Sequence, residues 1–282
     1  YTLLHSCPII IYYNSLNLLT TSFKSFQNSI FLFSSLNNAA GCQVGMYNIP
    51  FFSTHFPLDA VIEYFNNQYV GLFNIVALPQ NVGQGQARNA GLKACKNNIV
   101  ALMESEDIAR QDRFEIQIKY MEAHPDVDCV GSFITEFEED PNTIESIKAI
   151  PITHEEIFNF GKWRSPMNNM TVVYKKDKVL EVGAYNTFNF GEDYYLFAKM
   201  LMNGCKFYNF EECLVNARAG SRMLAKRVGW NKIKQEFILF YEFRKIGYIN
   251  NYQFVRNVTL KFLLRIIPNW LRSWIYKRFL RK

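Results

Sequence analysis

At 282 residues, with 49% hydrophobic, 16% aromatic and 20% charged residues, the chain has the composition of a folded globular protein and is too apolar for a disordered one. That length buries a full core, either in one large domain or in one domain with a helical appendage. The formal net charge of +6 is gathered at the C-terminus, where Arg256, Lys261, Arg265, Arg272, Lys277, Arg278, Arg281 and Lys282 stand without a carboxylate among them, a pattern that calls for an anionic surface.

Residues 1–58 hold no Asp or Glu and a single basic residue, Lys24. Within them only Pro8–Tyr13, β-branched and aromatic, reads as a strand. From Gly71 the pattern sharpens. Leu72–Leu78 is an apolar run suited to a buried strand, Gln84–Lys96 suits a helix, and Ile99–Met103 is a second short apolar run, together a β-α-β unit. Arg113–Ala123 predicts a helix with Phe114, Ile116, Ile118 and Met121 as its apolar face, and Val127–Ile134 returns to strand character. Thr153 and Glu156 form a capping box that opens a short helix ending at Gly161. Glu192–Met202 predicts a further helix stopped by Asn203-Gly204. Beyond residue 220 the chain reads as helical, with a kink or break at Pro268. The alternation implies an α/β layer fold.

Cys7, Cys42, Cys95, Cys129, Cys205 and Cys213 form no C-x-x-C pair, and His5, His55, His124 and His154 form no zinc-binding pattern. Reduced, mostly buried thiols are expected, and a zinc hydrolase is not. No basic segment precedes the first apolar run and no stretch of about 20 apolar residues follows, so a cytoplasmic location is expected.

The most informative segment runs from Asn81 through Gly83, Gly85, Arg88 and Asn89 to Gly91, between the two strands of the β-α-β unit. Arg88 stands where a dinucleotide fingerprint needs its third glycine, which argues against that reading. After twelve more residues comes Glu104-Ser105-Glu106-Asp107. Asp112-Arg113, the His124–Asp128 stretch and Gly191-Glu192-Asp193 follow. Taken alone, each acidic run suits a solvated helix start equally well.

In this order the motifs resemble the N-x-G-x-x-x-A-R-N-x-G, D-x-D-D and E-D series of family 2 glycosyltransferases, over roughly residues 71–250. The resemblance implies a GT-A-like, Rossmann-type three-layer α/β/α domain over residues 1–220, with a helical basic extension over 221–282. It implies an inverting enzyme that moves a sugar from a nucleotide-sugar donor to a saccharide or lipid-linked saccharide acceptor in cell-surface polysaccharide synthesis. A divalent metal, Mg2+ or Mn2+, is the implied cofactor, because a hard cation held by oxygen ligands neutralises the departing diphosphate. Glu106 and Asp107 fall at the metal positions. Asn81, Gly83, Gly85, Arg88, Asn89, Glu104, Arg218 and Arg222 fall on the nucleotide-sugar side, Trp230 on the acceptor side, and Asp193 with Glu192 at the catalytic base.

Three departures accompany the resemblance. Glutamate replaces aspartate at residues 104 and 106, which displaces each carboxylate by on the order of 1 Å. Residues 1–58 offer no acidic partner for the donor's base and ribose, so this segment is expected to be divergent. Asn169-Met170 stands where many relatives have His-Pro. The alternative is a catalytically degenerate relative serving as a scaffold at the membrane.

Residues 252–282 interleave the basic residues with Trp270, Trp274, Tyr276 and many aliphatic side chains. They suit an amphipathic segment lying in an anionic membrane interface, which places the protein peripherally at the inner face of the cell membrane. The apolar density exceeds what phosphate contacts need, so nucleic acid is not an expected partner.

Overall fold

The computed structural model describes residues 9–13, 30–36, 67, 73–78, 82–104, 107–188, 190–219 and 230–266. In chain order these give β1 (Ile9–Tyr13), β2 (Ile30–Leu36), β3 (Phe73–Ala77), α1 (Gln84–Ala94), β4 (Ile99–Glu104), β5 (Ile108–Ala109), α2 (Arg113–Ala123) and β6 (Val127–Phe137). There follow β7 (Ser146–Lys148), α3 (His154–Phe160), a 3-10 turn (Asn169–Thr171), β8 (Val173–Lys175), α4 (Lys176–Glu181), α5 (Glu192–Met202), β9 (Lys206–Arg218), α6 (Trp230–Lys245) and α7 (Asn251–Ile266).

The strands join in one mixed sheet, ordered β3-β1-β2-β4-β8-β6-β9-β5, with β7 on β6. β1 runs parallel to β2, while β3 is antiparallel to β1 and β4 to β2. β3 and β4 therefore point the same way with α1 between them in sequence, which is the expected β-α-β unit. Val100–Met103 are buried on both faces of β4, which explains a continuous apolar run in place of an alternating one. Pro8–Tyr13 yields β1 as expected, whereas β2 lies in a segment whose weak periodicity predicts no strand.

α2 has the expected bounds but not the expected inner face. Its buried residues are Arg113, Phe114, Gln117 and Met121, while Ile116 and Ile118 are only half-buried. Two polar residues enter the core because each finds partners there. Arg113 donates to Leu102 O (2.9 Å), to Met103 Sδ (3.1 Å) and to Gln117 Oε1 (2.9 Å), and Gln117 donates to Thr171 O (2.8 Å). An apolar count along the helix cannot anticipate this.

The Thr153 capping box forms: Thr153 Oγ1 accepts from Glu156 N and Glu156 Oε2 accepts from Thr153 N (3.0 Å). α5 buries eight of its eleven residues, packing against α1, α4 and α6 and, through Phe197, against Phe207 of β9. Phe243 of α6 packs edge-on against Tyr194 of α5, with centroids 4.7 Å apart. Asn257 of α7 donates to Lys162 O (2.7 Å), and Tyr248, between the helices, donates to Phe158 O (3.0 Å). The α6–α7 pair is thereby fastened to the domain. Of the six cysteines expected to be reduced and mostly buried, Cys95, Cys129 and Cys205 are buried free thiols and Cys213 is half-buried, while Cys7 and Cys42 lie outside the described residues. Pro268 and the rest of residues 267–282 lie outside the described residues.

Candidate active site

α1 opens from Gly83, whose φ of +79° is a left-handed conformation that favours glycine. Two residues on, a Cβ at Gly85 would lie 2.4 Å from Asn186 O. The bare glycine thus admits the chain's own backbone, seating the 183–188 segment against the start of α1. Asn89 fixes that loop from both sides, donating to Tyr185 O (2.7 Å) and accepting from Tyr185 N (3.0 Å).

Arg88 points inward and bridges two acidic residues distant in sequence. Its Nη1 meets Glu192 Oε1 at 2.6 Å and its Nη2 meets Glu104 Oε1 at 2.9 Å; its side chain is 4% exposed. Asn169 adds a second donor to Glu104 Oε1 (3.1 Å). Burial alone would lower the guanidinium's pKa, but Glu104, Tyr185, Glu192 and Asp193 outweigh it and hold the pKa above its ordinary value. At Glu192 burial wins: together with repulsion from Asp193 it raises the carboxyl pKa despite Arg88. Three predicted site residues, from α1, the end of β4 and the start of α5, are brought into one charged array.

Glu192 and Asp193 are adjacent but differently placed. Glu192 is buried on Arg88, while Asp193 is half-buried at the first turn of α5, with Oδ1 accepting from Tyr194 N (2.7 Å). The glycine before them, Gly191, has φ +72° and meets Leu239 of α6, whose Cδ2 would lie 2.8 Å from an added Cβ.

Asp107 is buried and its Oδ1 accepts from Arg218 N (2.9 Å), tying the segment after β4 to the end of β9. The Arg218 side chain lies over the Phe137 ring (4.8 Å) and donates to Glu138 O (3.1 Å). Arg113 supports the same region from beneath, linking the end of β4 to α2. Burial pulls its pKa down to about 9, with Asp107 opposing, so it remains charged at neutral pH. Trp230 begins α6 and is 76% exposed. Asn81, Glu106 and Arg222 lie outside the described residues.

Among the described residues, two polar atoms near the array are buried with no partner: Asn169 Oδ1, an acceptor, and Asn186 Nδ2, a donor. Sequence reading marked Asn169 only as a departure and passed over Tyr185 and Asn186, for which no local signal exists.

Among the described residues no three His, Cys, Asp or Glu side chains gather as a metal centre. Glu104 Oε2 has no hydrogen-bond partner among them, and Asp107 is engaged with Arg218. One open carboxylate oxygen does not make up the set a divalent cation takes.

An α/β sheet with glycines at the start of α1, Glu104 at the end of β4 and an acidic pair opening α5 is the GT-A type of fold on which glycosyltransferases are built. The chain belongs to glycosyl transferase family 2, whose model matches residues 53–187, a span that takes in Arg88 and Glu104–Asp107 and ends before Glu192. It is 37% identical over 209 residues to the amylovoran biosynthesis glycosyltransferase AmsE of Erwinia amylovora, covering 72% of this chain and 76% of AmsE. It is 34% identical over 205 residues to a UDP-Gal:alpha-D-GlcNAc-diphosphoundecaprenol beta-1,3-galactosyltransferase of Escherichia coli, covering 73% of this chain and 74% of that one. Among solved structures, TarS of S. aureus shares the fold with a TM-score of 0.50 at 14% identity, over 79% of this chain and 38% of the TarS chain.

Proposed function

We propose that this glycosyltransferase inverts the anomeric centre while moving a sugar from a nucleotide-sugar donor to a saccharide or lipid-linked saccharide in cell-surface polysaccharide synthesis. The observation that carries the reading is the separation of roles at the start of α5. Arg88 holds Glu192 and Glu104 in one buried array, leaving Asp193 on the open side of the same turn. The acceptor hydroxyl gives its proton to the Asp193 carboxylate as its oxygen bonds to the anomeric carbon. The bond from that carbon to the diphosphate breaks, and the nucleoside diphosphate leaves with the electron pair. General-base help of this kind is worth roughly 10² to 10⁴ in rate. No side chain attacks the sugar, so one displacement gives one inversion.

Glu192 keeps Arg88 in place rather than touching the acceptor. Glu106 and Asp107, with Glu104 through its open oxygen, are the residues proposed to hold a Mg2+ or Mn2+ ion, which when bound would offset charge on the diphosphate. Arg218 and Arg222 are assigned to the donor phosphates, and Trp230, exposed at the first turn of α6, to a lipid-linked acceptor where it rises from the membrane. The E. coli relative's name specifies a lipid-diphosphate acceptor, which favours the lipid-linked class here. The apolar and basic sequence of residues 252–282 supports a peripheral position at the inner face of an anionic membrane.

Calorimetric titration with UDP, GDP and TDP, with and without Mn2+, tests donor binding in the parent, Glu104→Gln and Glu106→Ala proteins. Metal-dependent binding to one nucleotide, lost in Glu106→Ala, is expected. Binding to none of the three would contradict the proposal.

A further inference from the structure

Nine of the fourteen large hydrophobic side chains left exposed among the described residues lie on α6 and α7, so the uncovered apolar surface is local, not scattered. On α6, Trp230, Phe237 and Tyr241 recur at helical spacing and are 76%, 46% and 46% exposed. They form one stripe, opposite the buried stripe of Glu236, Leu239, Phe240 and Phe243. On α7, Tyr252, Val255 and Phe262 lie on the exposed side, opposite buried Asn257. A ring contact joins the stripes, Trp230 meeting Phe262 at 6.3 Å, and Phe237 is anchored at 5.6 Å on Phe254, a partly buried residue of α7 packed against the core.

The charges on this surface have one sign. Lys234, Arg244 and Lys245 stand exposed on α6 and Arg256 on α7. The α6 carboxylates do not share the exposure, since Glu236 is buried and Glu242 is half-buried beside Tyr195 and Lys245. α7 contains no Asp or Glu. Aromatic rings at headgroup depth with cations around them match an anionic bilayer. A second copy meeting through the same face would set cation against cation, because a two-fold contact is self-complementary.

The opposite side of α6 faces the site. Leu239 packs on Gly191, and Lys232 Nζ lies 3.6 Å from the centre of the Phe190 ring, directly before Glu192 and Asp193. Only the thickness of one helix, about 10–12 Å, separates the outer face from the start of α5.

We infer that the joined outer face of α6 and α7 is a docking surface for an anionic lipid bilayer, and that docking sets the Asp193 turn one helix diameter from the headgroups. This rests on the lipid-linked acceptor reading and adds to it the surface and the orientation. It predicts that α6, and not residues 252–282 alone, contributes to membrane binding, and that docking matters for a lipid-embedded acceptor but not for a soluble one.

The full chain is floated with vesicles of phosphatidylcholine, alone or mixed with phosphatidylglycerol, beside two variants with an intact tail. One is Phe237→Ser/Tyr241→Ser, and the other is Lys234→Glu/Arg256→Glu; unchanged urea midpoints verify their folds. The parent should float with the anionic vesicles only, and the charge variant should bind at least about tenfold more weakly. The aromatic variant should also weaken, and both should lose transfer to a lipid-embedded acceptor while retaining it to a soluble saccharide. If the parent binds and both variants bind as tightly, the α6–α7 surface is refuted while the tail reading stands. If the parent binds no vesicle, the membrane reading itself fails. A parent dimer that the variants split, without vesicle binding, would overturn the inference in favour of self-contact.

Discussion

Replacing Arg88 with methionine leaves the Glu104 and Glu192 carboxylates without the guanidinium that now meets both. The Arg88 and Glu192 side chains are 4% and 7% exposed, so water cannot replace the lost bonds without opening the packing of α1 on α5. Removing one partner of such a buried pair costs about 3–5 kcal/mol. Glu192 has one escape: burial and Asp193 already raise its pKa, and without Arg88 it takes a proton more readily. The expected loss near neutral pH is therefore at the lower end, about 3 kcal/mol. Adding Glu192→Gln to the Arg88→Met background should recover about 1–3 kcal/mol, since the amide buries no charge. Arg88→Lys should fall short of the parent, because a point charge cannot span two carboxylates as a planar fork does. Urea unfolding of the parent, Arg88→Met, Glu192→Gln and the double variant, followed by tryptophan fluorescence, gives the full cycle. Arg88→Met within about 0.5 kcal/mol of the parent, or additivity to within about 0.5 kcal/mol, would refute the buried array.

Gly85→Ala should destabilise by roughly 1–3 kcal/mol and weaken nucleotide binding, because its methyl group would meet Asn186 O at 2.4 Å; denaturation and calorimetry both read it. Gly204→Ala, with φ +83° but nothing within 4 Å, should cost only about 1–2 kcal/mol of backbone strain and leave binding untouched. Glu192 also sets a pH trend. Its folded pKa lies above the ordinary 4.5, so in the window upward from there the folded state holds a proton that the unfolded chain has released. Stability from this group is full below the window and falls as pH rises through it. Glu192→Gln should flatten that slope in urea midpoints measured across the window, and identical slopes would contradict the assignment.

The sequence displays β4 and α1 because both obey simple rules: a strand buried on two faces is continuously apolar, and the glycines before α1 mark a chain that must turn closely. The inner face of α2 is hidden, since Arg113 and Gln117 are buried by hydrogen bonds to β4 and the 3-10 turn that no local pattern encodes. β9 is hidden for another reason. Glu211 and Glu212 interrupt its apolar run, and the sheet accommodates them by a register shift in which Phe210 pairs with Ser132 and Cys213 with Phe133. The site was legible as an ordered series of residues, not as an arrangement. Arg88, Glu104 and Glu192 each stand out by motif, yet their meeting across 16 and 104 positions is a property of the fold. Asn89 was picked out as a donor-side residue, and its clamp on Tyr185 emerges only from the structure.

In the proposed reaction Asp193 takes the acceptor's proton while Arg88 and Glu192 hold the turn that presents it. The most direct test is turnover of the cognate nucleotide sugar by the parent and by Asp193→Asn, with nucleotide affinity measured on the same preparations. A loss of roughly 10² to 10⁴ in turnover is expected, with affinity and unfolding midpoint unchanged. An Asp193→Asn protein that transfers sugar at the parent's rate would contradict this role.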